Sequence, residues 1–231
     1  MIKKYINNRK LTFLSPHYDD IAFSLAGLMP LILENVDTCE LINVFSNSNF
    51  IYERVSHIKL STHLRKNEDE IAMSSLGPID LKYAGFDEAL VRNNKRSSLF
   101  IQGPKHLKKT DLLLISDLTN FLLKVPEDRI MFIPAGFGGH TDHIILHEAA
   151  KPLPHCKIYY SDLPYATDDI LYINQYGIRS TQTKKKISVR VTSTMISLHL
   201  QVCKMYKTQF REMFADPISK FLKINGYQLW M

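Results

Sequence analysis

Two short stretches carry the side chains best suited to chemistry. The first is Ser15-Pro16-His17-Tyr18-Asp19-Asp20, directly after the apolar run "LTFLS" (11–15). Adjacent carboxylates repel each other, so Asp19 and Asp20 either lie in water or sit beside a cation. The second is "PAGFGGHTDHIILHEAA", which holds His140, Asp142, His143 and His147. Three- and four-residue spacing places His140, His143 and His147 on one face of a helix. Gly136, Gly138 and Gly139 leave the backbone free to turn just before it. Imidazole nitrogen and carboxylate oxygen suit zinc, and to a lesser degree iron, manganese or cobalt. A catalytic zinc keeps three protein ligands and one water position. The two stretches together offer more donors than that, which leaves groups for proton transfer. His147 reads as an ordinary helix residue.

The elements that must bring the stretches together are legible as alternating runs. Strand-length apolar runs occur at 11–15, 39–46, 79–85, 129–136 and 157–162. Helical patterns lie between them at 21–34, 61–77, 110–124 and 141–151. This alternation implies an α/β fold of Rossmann-like type, a mostly parallel sheet flanked by helices with right-handed crossovers. Ligands in such sheets bind beyond the carboxyl ends of the strands. The His/Asp stretches after the first and fourth strands would then open onto one rim. The polar, basic segment 179–191 reads as a loop plus a strand, and 192–214 has helical apolar spacing. No repeat or linker interrupts the chain, so one domain over 1–231 is expected, with the region from about 177 packing onto it.

Composition narrows the function classes. A hydrophobic fraction of 45% supports a packed core and argues against overall disorder. No apolar run approaches the roughly 18 residues of a membrane helix, and no leader is recognisable, so a cytoplasmic, membrane-free protein is expected. Three widely spaced cysteines make neither a disulfide framework nor a zinc ribbon and read as buried small hydrophobes. The net charge of +6 gathers at Lys105, Lys108 and Lys109 and again at Lys184, Lys185 and Lys186. No nucleic-acid motif accompanies these lysines. They read as solvated faces, with an anionic ligand as the alternative.

Pro-His-x-Asp-Asp after the first strand, with Gly27 following, resembles the PIG-L/LmbE-like deacetylases, metal-dependent hydrolases of N-acetylated sugars. "GGHTDH" resembles the second motif of that family. "LRKNEDEIAMSSLG", "AGFDEALVR", "YYSDLPYA" and "YKTQF" are similar to further segments, in order along most of the chain. The resemblance implies His17, Asp20 and His143 as ligands of Zn2+ or another divalent transition metal. It implies Asp19 as general base and His140, preferably protonated, facing the oxyanion. Asp142 would orient His140 or His143. Arg65 and Asp87 would grip the substrate; Tyr18, where the family often has another residue, would narrow or stack against the substrate site, or simply pack. Arg65 is open to another reading, a helical ion pair with Glu68 or Asp69. Asp162 and Tyr165 belong to the same rim, and Phe137 either covers a sugar or packs.

Tyr18 and Ile21 depart from the family's usual residues, at positions that bear on substrate choice rather than on metal ligation. The implied activity is hydrolysis of the linear amide bond of an N-acetyl sugar, as a small molecule or glycoconjugate, with no nucleic-acid partner. The alternatives are an amidase acting on another N-acyl group and a non-catalytic sugar or nucleotide binder of the same fold.

Overall fold

The five apolar runs are strands because helices cover both faces of the sheet they form, so nearly every residue in the three central ones is buried. The computed structural model describes residues 2–93, 95–167 and 176–231. Its strands are β1 (Lys10–Ser15), β2 (Thr38–Asn43), β3 (Phe50–Ile51), β4 (Arg54–Val55), β5 (Asp80–Tyr83), β6 (Arg129–Pro134), β7 (Lys157–Tyr160), β8 (Lys186–Val189) and β9 (Tyr227–Trp230). Seven of them make one sheet in the order β5-β2-β1-β6-β7-β9-β8, and β3 with β4 forms a separate hairpin. The pairs β5/β2, β2/β1, β1/β6 and β6/β7 are parallel. β9 is antiparallel to both β7 and β8. The C-terminal region therefore does more than pack on the sheet: it extends it by two strands. Phe13 on β1 stacks on Phe132 of β6, with ring centres 4.4 Å apart, at the middle of the core.

Two expected elements are broken. The pattern over 21–34 becomes a helix Asp20–Leu25, a 3-10 turn Ala26–Leu28 and a second helix Met29–Leu33. The turn lies where Gly27 meets the helix Ser193–Cys203: a β-carbon there would fall 2.2 Å from the Met195 carbonyl oxygen. The pattern over 192–214 is helical only over Ser193–Cys203 and resumes as a 3-10 turn at Glu212–Phe214. Cys39 and Cys203 are buried as expected, whereas Cys156 is exposed. Among the described residues no helix is long and apolar enough to cross a membrane.

After β1 the chain crosses to β2 on one side, and β6 returns on the other. The carboxyl ends of β1 and β6 thus flank a topological switch point, where an open α/β sheet leaves a crevice. His17 follows β1, His140 follows β6, and Asp162 follows β7, all at this rim.

Candidate metal centre and active-site pocket

Asp20 is the first residue of its helix, and its Oδ2 accepts from the His17 backbone N–H at 2.8 Å. The same oxygen lies 3.0 Å from His17 Nδ1, while Oδ1 lies 3.3 Å from His143 Nε2. The second stretch arrives through a turn that needs glycine. Gly136, Gly138 and Gly139 have φ of +84°, +72° and +74°, the left-handed region that β-carbons disfavour. The helix Thr141–Ala150 then presents His143 to Asp20. One nitrogen from each of His17, His140 and His143 lies within 4.8 Å of the others, and all three side chains are buried.

Carboxylates behind the histidines fix which nitrogen faces the cluster. Asp162, almost wholly buried, approaches His143 Nδ1 at 2.7 Å through Oδ1. Its Oδ2 accepts from the backbone N–H groups of Gly136 and Phe137. Asp142 Oδ2 lies 2.9 Å from His17 Nε2, and Arg92 Nη2 donates to its Oδ1 at 2.7 Å. Asp142 therefore orients His17, not His140 or His143 as expected, and Asp162 holds His143. His140 Nδ1 accepts from the Asp142 backbone N–H at 3.3 Å, so its Nε2 carries the hydrogen of the neutral ring.

The buried carboxylates and imidazoles shift one another strongly. Burial opposes charge on His17, but the Asp20 and Asp142 carboxylates outweigh it and hold the imidazole up to about 9. Burial likewise opposes charge on His143, and Asp20 and Asp162 hold it up to about 10. Burial alone would raise the Asp20 carboxyl, yet His143 and His17 draw it well below its ordinary value. His140 goes the other way: burial, then the charge of His17, pushes it well below its ordinary value. An expectation of a protonated His140 is thus replaced by a neutral N–H donor.

These residues fit a divalent metal. Buried His143 Nε2 has no hydrogen-bond partner, because Asp162 has turned the other nitrogen away. The 3.0 and 3.3 Å spacings about the Asp20 carboxylate match donors that share one ion at about 2.0–2.2 Å. His17, Asp20 and His143 would hold it, with His140 as a fourth nitrogen nearby.

A cavity of about 230 Å³ opens over this centre, lined by Asp19, Arg65, Glu88, Phe100, His140 and Tyr165 among others. Asp19 Oδ1 accepts from Arg65 Nη2 at 2.7 Å. Arg65 is buried, and its other amino group contacts Glu88 Oε2 at 3.0 Å and Ser48 Oγ at 2.8 Å. The helical pair with Glu68 or Asp69 does not form; Arg65 fixes Asp19 instead. A second cavity of about 170 Å³ shares Asp19, Asp20, Phe50, Tyr165 and Gln209 and runs on to Phe23 and Phe214.

Two expected substrate residues lie elsewhere. Tyr18 is 1% exposed and donates to the Ser46 carbonyl oxygen at 2.6 Å, packed in the core against Tyr83. Asp87 is exposed and bonded to Asn47; its neighbour Glu88 is the one turned into the pocket. A one-residue offset in an irregular loop carries no periodic signal, so sequence could not choose between them. His147 faces away, with Nδ1 donating to the Pro134 carbonyl oxygen at 2.8 Å. Phe137 packs against Trp230, and Tyr165 lies on the cluster, 5.4 Å from His143 between ring centres.

No family model matches the chain. A 2'-N-acetylparomamine deacetylase from Niallia circulans is 22% identical over 255 residues, spanning 95% of this chain and 87% of the relative. A deacetylase of the same name from Streptomyces fradiae is 24% identical over 172 residues, spanning 71% of this chain and 61% of the relative. The zinc-inhibited form of teicoplanin deacetylase shares the fold, with a TM-score of 0.66, 17% identity and coverage of 96% of this chain and 97% of that one. The chain is thus similar in sequence to these deacetylases and shares the fold of teicoplanin deacetylase.

Proposed function

We propose that this chain is a zinc-dependent hydrolase that removes the N-acetyl group of an amino sugar or an N-acetylglucosaminyl conjugate. The observation that carries the reading is the Asp20 carboxylate set between His17 Nδ1 and His143 Nε2, with Asp19 lining the same cavity. A divalent metal on His17, Asp20 and His143 supplies Lewis-acid polarisation of the amide carbonyl and a more acidic water.

The chain's own groups do the rest. Arg65 takes one oxygen of Asp19, which leaves the other to accept a proton from the attacking water. Water oxygen bonds to the carbonyl carbon, and the charge that develops on the carbonyl oxygen meets the neutral His140 Nε2–H, a donor of the kind that removes about 3 kcal/mol from such barriers. Asp19 returns the proton to the amine nitrogen as the carbon–nitrogen bond breaks, giving acetate and the free amino sugar. Asp142 and Asp162 keep His17 and His143 in register. The second cavity, with Phe23, Phe50 and Phe214 beyond Asp19, supports a further reading in which a longer N-acyl group is removed.

The test is zinc content by elemental analysis, followed by amine release from 2'-N-acetylparomamine and from N-acetylglucosamine conjugates. About one ion per chain with release of acetate is expected. Asp19→Asn should keep the metal and lose about 100-fold or more in turnover. Near-normal turnover in that variant would remove Asp19 from the reaction, and a folded protein that holds no zinc would overturn the proposal.

A further inference from the structure

The fold joins the two lysine clusters of the sequence at one place. Lys105, from the first cluster, and Lys184, from the second, line the same cleft, together with Lys151 and Arg179. Its volume is about 550 Å³, within the roughly 300–1,000 Å³ typical of small-molecule sites. Glu148 is its one acidic lining residue among those described. One Glu148 oxygen accepts from the Tyr176 hydroxyl and the other lies 3.6 Å from Lys151. Among the described residues no carboxylate pairs with Lys105, Arg179 or Lys184. Burial, and secondarily the charge of Lys151, lower the Lys184 ammonium below its ordinary value.

We infer that this cleft binds a phosphoryl dianion. With Lys151 beside Glu148, a singly charged carboxylate would answer one of the three remaining cations, whereas a phosphoryl group spreads two charges over three oxygens and can meet the Arg179 fork and the Lys105 and Lys184 ammonium groups together. The cleft lies beside the catalytic pocket. Arg179 Nη2 donates to the Gln102 carbonyl oxygen at 3.2 Å. Three residues earlier, the Leu99 carbonyl oxygen accepts from the Thr141 N–H at 2.7 Å, next to His140. Leu99 and Phe100 line the catalytic cavity, so the segment 99–105 separates the two sites. The dianion belongs either to a free phosphate ester or to a phosphorylated part of the substrate.

Calorimetric titration with inorganic phosphate, at ionic strength matched with chloride, tests binding without any need for activity. Saturable binding is expected, weakened about tenfold or more by Lys184→Glu and by Arg179→Gln. The two variants sit on different elements, so misfolding of one leaves the other to decide. No binding above the chloride control, or equal binding by both variants, would overturn the assignment. Kinetics then separate the sources. If K184E raises KM for an N-acetylhexosamine phosphate but not for the unphosphorylated sugar, the group is substrate-borne. If phosphate changes the turnover of both sugars alike, it is a separate ligand.

Discussion

Asp162 shows how one side chain decides what another can do. His143 offers a bare nitrogen to the centre because Asp162 engages Nδ1, and the same carboxylate accepts two N–H groups of the glycine turn. An amide in its place has one acceptor oxygen and one donor nitrogen, so it cannot serve both. Asp162→Asn should weaken zinc retention about 10- to 100-fold, read by competition with a chromophoric chelator, and Asp162→Glu should not restore it. Unchanged zinc affinity would show that the His143 ring is held by the helix alone. At this scale the sequence was informative where the clustered side chains are local: His17 with Asp20, and His140 with His143, are three residues apart at the start of a helix. It was uninformative where a side chain's direction depends on a distant partner. Arg65 reaches Glu88, Asp142 reaches His17, and Tyr18 turns into the core, each for reasons on another element.

At the scale of elements, the five parallel strands were legible because burial on both faces writes each as a short apolar run. β9 was not, since four residues at the chain end carry too little pattern to separate strand from tail. The break in the first helical pattern was also hidden, because its cause lies on a helix some 170 residues away. Gly27 lets that helix approach: a β-carbon would sit 2.2 Å from the Met195 carbonyl oxygen and 2.4 Å from the Tyr227 hydroxyl. Backbone cannot yield as a flexible side chain does. Gly27→Ala should therefore destabilise the fold by about 1–3 kcal/mol, a fall in Tm of roughly 2–12 °C for a chain of this size. An unshifted melting curve would mean that the helix Ser193–Cys203 can move aside without loss.

Across the whole molecule, His199 ties the sheet's C-terminal extension to the helix Asp20–Leu25. It is fully buried. Its Nε2 donates to the Phe23 carbonyl oxygen at 2.9 Å, and its Nδ1 lies 3.1 Å from the Tyr227 hydroxyl. Burial pushes its pKa down to about 4, opposed by the Phe23 carbonyl, against about 6.5 in an unfolded chain. Between those values the unfolded chain binds a proton that the folded chain refuses, so this residue's contribution falls as pH falls from about 6.5 to 4. The loss amounts to about 3 kcal/mol at about 1.4 kcal/mol per pH unit. Asp69 works in the opposite sense: burial raises its carboxyl to about 7, and its contribution grows with acid over much of the same range. The total pH profile mixes the two, but a difference between proteins does not. His199→Gln keeps a donor for Phe23 and an acceptor for Tyr227 without a titrating group. The stability advantage of the native protein over this variant, from urea unfolding, should shrink by about 3 kcal/mol from pH 7 to pH 4. An advantage that stays constant across that range would show that His199 takes up its proton in the folded protein as readily as in the unfolded one.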